Sequence, residues 1–587
     1  MFGIIAYEGS DVRSFDEACN AARSFGAVVT VVVSTSRVRL GIMGSGLSVG
    51  NSSDAVWFGS AAQQVSGTAK DPGHLLDGAP DDVVAAGVTQ EHLVLAAGRG
   101  NHRLFIHETP TGRLASSSLA VLARSQLTPI DRSYEDFLLG FSFLPIPRTP
   151  YDGIRVLTPG TRLIAESSES VASAVIETPA VPSSFASAIP ELRNRFFASL
   201  EELAAGEKRH AVLLGGFDSM LVAASLRQMG HEVHTYTFSF GNPKYEQRYI
   251  SEFVQSQGIN HHPVRFTPEL IADNLRNFGS HFFQPGALAH YQIHTLVASH
   301  QIATDGHNRI FNGDGCDAVF LSYPTVNQRA ALTRRLEMIP DWGIRAGSLV
   351  LRNNLAERQL GHVGRTMRSM LGNFLLEEPA RGHLPNRYID DYALSQLRVG
   401  DAPTQTETID EIRNRLAQDV AGQIGTRRAF HGNGLTGQSK VKVDGCVAAT
   451  GLPHFTPYMH PFFRTFVSGL PIDYLKKQDS SPGDNGKELL VAMVREYNLL
   501  PEFIVAQPKQ SPVDSPVDNW YRQELRQEIL SQLEDLPFEW NRKYIETVLR
   551  SKMAENWYRE KVANNSQTLQ AIGLLASYAS FNRVTGA

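Results

Sequence analysis

The stretch His210-Ala-Val-Leu-Leu-Gly-Gly-Phe-Asp-Ser-Met220 decides how this chain is read. Ala211 to Leu214 is an apolar run with the length of a short buried strand. Gly215 and Gly216 follow, where the chain must turn tightly. Asp218 and Ser219 then open a helical pattern that continues from Met220 to Leu226. A strand, a glycine turn and a helix N-terminus bring free N–H groups and the positive end of the helix dipole to one point. That point favours an anion such as phosphate. The Asp218 carboxylate opposes a bare phosphate but suits one carrying Mg²⁺. The stretch therefore reads as a site for a metal-bound nucleotide tail. An ordinary strand-to-helix turn is the alternative reading, since glycine pairs are common there.

A second stretch has the same grammar. Phe311-Asn-Gly-Asp-Gly-Cys-Asp-Ala-Val-Phe-Leu-Ser-Tyr323 places Asp314 and Asp317 in a glycine-rich turn after an apolar strand, Ile310 and Phe311. Two such turns in a parallel sheet lie side by side at the carboxyl ends of the strands, where α/β sheets bind ligands. Asp218 and Asp317 are then expected to share one or two Mg²⁺ ions.

These two stretches resemble the pyrophosphate loop, S-G-G-x-D-S, and the G-D-G-x-D segment of the asparagine synthetase family. That family includes β-lactam and carbapenam synthetases and the lasso-peptide macrolactam cyclases. The resemblance implies that ATP adenylates a carboxylate and that an amine then attacks to form an amide. It implies an α/β adenine nucleotide α-hydrolase-like (PP-loop) synthetase domain. Leu214, Gly215, Gly216, Asp218 and Ser219 would cradle the pyrophosphate, with Gly313 and Gly315 in the facing loop and Asp314 as a catalytic group. Leu214 replaces the first serine of the family loop and removes one hydroxyl from the cradle. His234 to Phe240 reads as a second strand, and the family's adenine pocket follows it, which brings Thr237 and Phe238 to the nucleotide. Gly486-Lys487-Glu488-Leu489-Leu490 resembles the helix carrying a family lysine. Gln507-Pro508-Lys509-Gln510-Ser511-Pro512 resembles the R-P-K segment that closes over the site. Lys487 and Lys509 would then stabilise charge developing on pyrophosphate; surface lysines are the alternative.

Composition sets the outer bounds. The chain has 587 residues, too many for one core, so at least two domains are expected. Charged residues make up 20% and hydrophobic residues 42%, as in soluble globular proteins. A net charge of −5 gives no global basic field for nucleic acid. Cys19, Cys316 and Cys446 are scattered without metal-ligand spacing, which fits a reducing cytosol. The opening Met1 to Glu8 has no basic region followed by a long apolar run, so no secretory leader and no membrane span are expected.

Residues 1–180 are rich in short β patterns, at Ala27–Val33, Arg37–Ile42, Leu93–Ala97 and Arg103–His107. They read as an α+β antiparallel sandwich. Met1-Phe2-Gly3-Ile4 and Phe137–Leu163 resemble the class II amidotransferase (Ntn-hydrolase-like) domain that opens asparagine synthetases. That domain uses its N-terminal cysteine as nucleophile. Phe2 stands in that place, and the family's N-G-E-I loop is missing, so the domain is expected to lack glutaminase activity. Glu166 to Pro190 is rich in Ser and Ala and reads as the linker.

Residues 190–587 form the expected ligase domain, with a helical insertion at 324–440. Helical patterns there include Asn327–Met338 and Thr408–Ile424. Arg329, Arg334, Arg335, Arg345, Arg352, Arg358, Arg365 and Arg368 line either a solvated face or a groove for an acidic or extended substrate. Gly451-Leu-Pro-His-Phe-Thr-Pro-Tyr-Met-His460 resembles the family's G-V-E-x-R-x-P-F-L-D, with Pro453 for a glutamate and Phe455 for an arginine. Proline serves as neither acid, base nor ligand, so His454 and His460 are candidates for replacement chemistry. The expected function is macrolactam closure of a lasso-peptide precursor, with a leader peptidase as partner. A β-lactam-type or asparagine synthetase, or a non-catalytic nucleotide-binding scaffold, is the alternative.

Overall fold

The computed structural model describes residues 1–45, 48–62, 83–89, 92–98, 100–164, 167–170, 180–241, 248–286, 289–320, 322, 339–340, 342–343, 346, 389, 391–400, 403–404, 407, 411–412, 436–475, 487–507, 516–550 and 565–585. Lys509, the eight arginines of the insertion, Asn327–Met338 and all but two residues of Thr408–Ile424 lie outside the described residues.

Among the described residues the N-terminal part holds twelve strands: β1 (Gly3–Gly9), β2 (Val29–Ser34), β3 (Val38–Met43), β4 (Val49–Asn51), β5 (Ala55–Phe58), β6 (Val84–Thr89), β7 (His92–Ala97), β8 (Phe105–Thr109), β9 (Gly112–Ser116), β10 (Ile154–Val156), β11 (Thr161–Ile164) and β12 (Ser167–Ser170). They form two six-stranded sheets with orders β10-β8-β9-β1-β3-β2 and β12-β11-β7-β6-β5-β4. Neighbours pair antiparallel, for example Ile5↔Gly41 and Ala86↔Leu95. Alternate residues of each strand face the other sheet, as the two-residue side-chain period requires. Ile4, Ala6, Val38 and Leu40 thus meet Val56, Phe58, Val84 and Leu95 in one buried cluster. Ile5 and Tyr7 point the other way and pack with Phe15 and Ala18 of the helix Arg13–Ser24. With both faces covered, β1 is apolar throughout its centre.

The expected linker is shorter than its composition suggests. β12 extends the sandwich through Ser170, and the helix Phe185–Ala204 begins before Pro190. Ser184 caps that helix: its Oγ accepts the Ser187 N–H at 3.1 Å, and Ser187 Oγ accepts the Ser184 N–H at 3.0 Å. Two of the serines that read as linker, Ser184 and Ser187, are a capping box. Pro190 sits inside the helix and costs it one N–H donor.

The C-terminal part is built on a five-stranded parallel sheet: β13 (Arg209–Leu213), β14 (Glu232–Ser239), β15 (Asn260–Arg265), β16 (Ile310–Phe311) and β17 (His454–Phe455), in the order β15-β14-β13-β16-β17. Pro263 is tolerated because β15 is an edge strand, where a missing N–H breaks no ladder. β17 is not expected from the sequence. It is two residues long and is held by Ile310 N–H to Pro453 O at 2.9 Å and Asn312 N–H to Phe455 O at 3.1 Å.

The two parts share a core. Val443 and Val447 of the helix Thr436–Thr450 insert into the sandwich cluster. The Phe2 N–H donates to Ala448 O at 2.6 Å. A side chain on Gly44 or Gly451 would collide with the Phe2 ring, at 2.5 and 2.8 Å. Phe2 is therefore a packing residue between the two parts.

Candidate active site

β13 and β16 are neighbours, with Ala211 beside Ile310 and Val212 beside Phe311. Their following turns must then touch. A Cβ on Gly313 would lie 2.7 Å from Ser219 N and 2.9 Å from Asp218 Cβ, so the turns approach to a distance that only glycine allows. Gly315 has φ +84°, and a side chain there would strike Met459. Ser219 folds the first turn upon itself. Its Oγ accepts the N–H groups of Gly215 at 2.8 Å and Gly216 at 3.2 Å and donates to Gly216 O at 3.0 Å. A Cβ on Gly215 or Gly216 would meet nothing within 4 Å, so the outer side of the loop is open space. The first-turn N–H groups of the helix Phe217–Gln228 have no acceptor within that helix and sit beside this space.

The two aspartates converge on one ammonium group. Lys487 Nζ lies 2.5 and 2.6 Å from the two Asp218 oxygens and 2.8 Å from Asp317 Oδ1. Lys487 is only 3% exposed. It stands immediately before the helix Glu488–Glu496, anchored by the buried Leu489, Leu490, Met493 and Val494. Burial alone would strip the proton from this lysine, but Asp218 and Asp317 outweigh it and hold the pKa well above the usual lysine value. Ser322 Oγ donates to Asp317 Oδ1 at 2.6 Å, and Tyr458 OH donates to the Asp218 carbonyl at 2.9 Å. Cys316 lies beneath, its thiol pushed far up by burial and by Asp218, which leaves it unreactive.

Asp314 turns to a different cation. Lys442 Nζ is 2.9 Å from its Oδ1 and 2.7 Å from its Oδ2. Sequence reasoning misses Lys442, which lies 128 positions from its partner. It also misses Tyr458. Tyr458 lies within the motif-like stretch Gly451–His460, but no local pattern marks Lys442; only the packing of the helix Thr436–Thr450 against the second turn reveals the lysine.

Of the other expected residues, Leu214, Thr237 and His454 are buried, and Phe238 and His460 are partly buried. Leu214 is 3% exposed, packs in the cluster with Val212, and gives its N–H to Tyr236 O at 2.8 Å, so its side chain offers nothing to a phosphate. Thr237 Oγ1 is 3.1 Å from His261 Nε2, and Phe238 packs against the rings of Phe266 and His294 at the end of β14. His454 and His460 do not supply replacement acid–base chemistry. His454 is fully buried, 3.1 Å from Ser299 Oγ, and its pKa is pushed down to about 3 by burial, Lys442 and His102. Burial thus favours its neutral form. His460, also lowered mainly by burial, faces Glu202 at 3.5 Å on the helix Phe185–Ala204.

The donor set fits Mg²⁺ only together with a nucleotide. Magnesium is held by one or two carboxylates plus phosphate oxygens and water. Asp218 and Asp317 would supply the carboxylates, and the open glycine loop leaves room for the phosphates. Among the described residues, no group of three or more His, Cys, Asp or Glu is placed to hold an ion unaided.

The sequence model of the asparagine synthase family matches residues 191–582, two thirds of the chain. The chain belongs to the asparagine synthase family. The match contains both aspartate turns, Lys442 and Lys487, and carries with it the PP-loop synthetase fold. This asparagine synthase relative is accordingly an ATP-dependent, AMP-forming carbon–nitrogen ligase. No curated protein matches it. Among its described residues no helix is long and apolar enough to cross a membrane.

Proposed function

We propose that this ligase closes an amide between a carboxylate and an amine of one peptide, as in macrolactam formation on a lasso-peptide precursor. Asp218 and Asp317 would hold Mg²⁺, which neutralises triphosphate charge when bound. Lys487, fixed between the two carboxylates, would stabilise charge on the departing pyrophosphate. In the first step a substrate carboxylate oxygen attacks the α-phosphorus of ATP, and the bond to pyrophosphate breaks. In the second the amine nitrogen attacks the acyl carbon, loses a proton, and AMP leaves.

The single observation that carries the intramolecular reading is Phe2. By the resemblance of Met1–Ile4 it would stand in the place of the nucleophilic cysteine, and its ring is wedged between Gly44 and Gly451. Ammonia from glutamine is then not the amine, and the amine must come with a substrate. Pro453 supports the same reading, because it gives its carbonyl to the β16–β17 pairing and brings no acid to the acceptor side. A leader-removing peptidase is the partner this role requires, since the attacking amine must first be freed.

The test incubates the chain with ATP, Mg²⁺ and candidate core peptides bearing a free N-terminus and an internal Asp or Glu. Products are read by mass spectrometry. Loss of one water with AMP formation supports cyclisation. Turnover of small β-amino acids alone would assign a β-lactam-type activity instead.

A further inference from the structure

The N-terminal sandwich reaches the ligase site through a buried polar chain that the reaction scheme does not use. His102 lies in the segment before β8 and is 2% exposed. Its Nε2 accepts the Ser60 N–H at 2.9 Å, with Ser60 Oγ 3.1 Å away. A ring nitrogen that accepts an N–H carries no proton, so the proton is on Nδ1. That Nδ1–H donates to Asp444 Oδ1 at 2.8 Å. Asp444 is 4% exposed and sits two positions after Lys442 on the helix Thr436–Thr450. Residues two apart on a helix point to different sides. The helix thus presents Asp444 to the sandwich and Lys442 to Asp314, with Val443 and Val447 fixed in the sandwich core. A second branch runs through Ser60, whose Oγ accepts the His454 N–H at 3.2 Å on β17. β17 in turn accepts the Asn312 N–H, two residues before Asp314. Both branches start at His102 and end at the Asp314 turn.

The arrangement Ser60–His102–Asp444 has the order of a hydrolytic triad, but all three side chains are buried and Ser60 Oγ is already occupied by a backbone N–H. We propose that His102 is a positioning residue of the ligase: through Asp444 and Ser60 it holds Lys442 on Asp314 and keeps the β16–β17 side of the site in register. The Asp218–Asp317–Lys487 cluster has an anchor of its own as well, the helix Glu488–Glu496. Loss of His102 should therefore affect the side of the site away from the pyrophosphate. This inference rests on the ligase reading for its activity readout, and a labelling readout is independent of it.

The experiment compares full-length wild type with His102→Ala, Asp444→Ala and His102→Asn. Asn keeps a donor at the place of Nδ1 for Asp444, while its oxygen falls short of the place of Nε2. Folding is checked by circular dichroism and melting. Acylation of individual lysines by an amine-reactive ester is followed by mass spectrometry. The expected result is at least a fivefold faster labelling of Lys442 in both alanine variants, with Lys487 unchanged and His102→Asn close to wild type. In turnover, amide formation from the peptide should fall at least tenfold. ATP–pyrophosphate exchange should stay within twofold. Unchanged Lys442 labelling in a folded His102→Ala protein would overturn the inference, and so would equal losses in exchange and amide formation. If wild type performs no exchange with any acid, the ligase reading falls while the labelling result still decides the positioning role.

Discussion

Replacing Lys487 by methionine removes one charge and keeps most of the volume. In wild type one ammonium lies within 2.8 Å of oxygens from two carboxylates in a nearly buried setting. Breaking such a pair by removing one partner costs about 3–5 kcal/mol, because the remaining charges are left uncompensated. Here two like charges remain together without their counter-ion. In wild type the sign is clear: the lysine pKa is raised, so its stabilisation is present below the unfolded value near 10.4 and persists across neutral pH. Lys487→Met should therefore unfold at lower urea, by about 3–5 kcal/mol at pH 7. Millimolar Mg²⁺ should restore part of that loss, since it binds the folded carboxylate pair. Losing one fixed cation at the developing pyrophosphate charge should lower substrate-dependent ATP–pyrophosphate exchange by about 10²–10³-fold. The assays are urea melts with and without Mg²⁺, and exchange with a fixed acid substrate. Wild-type stability together with exchange within threefold of wild type would refute the reasoning.

Three more outcomes follow from the geometry. Gly313→Ala should push the two turns apart, because its methyl would lie 2.7 Å from Ser219 N, costing about 1–3 kcal/mol in urea melts and reducing exchange. Phe2→Cys restores a thiol but opens a void between Gly44 and Gly451, so it should lower the melting temperature without producing ammonia from glutamine. Lowering the pH should destabilise the fold through buried histidines. His454 is pushed to about 3, and His290 to about 4, chiefly by burial. A depressed histidine pKa gives stability that is complete above about 6.5 and is lost as pH falls toward the folded value. Each should cost up to about 2 kcal/mol by pH 5 in urea melts at matched ionic strength.

Much of this site is legible in the sequence alone. Leu-Gly-Gly-Phe-Asp-Ser and Asn-Gly-Asp-Gly-Cys-Asp each follow a strand, and glycine marks where backbones must approach. Gly313 against Ser219 shows why that glycine is needed. Lys487 is legible through its flanking helix. Lys442 is not, because its partner is fixed by a helix wedged between two parts of the fold, and nothing local distinguishes it from a solvated lysine. β17 is hidden because two residues carry no periodicity. Composition misjudges the linker because serine serves both disorder and helix capping, and only the Ser184–Ser187 bonds separate the two. Leu214 shows the opposite limit: a motif position that reads as part of the cradle is, in three dimensions, a core residue.

The most direct measurement is substrate-dependent ATP–pyrophosphate exchange by wild type, Asp218→Asn and Asp317→Asn, each confirmed folded. Two carboxylates meeting on Lys487 predict robust exchange in wild type and its loss in both variants. Exchange that survives in a folded Asp218→Asn or Asp317→Asn protein would contradict the account.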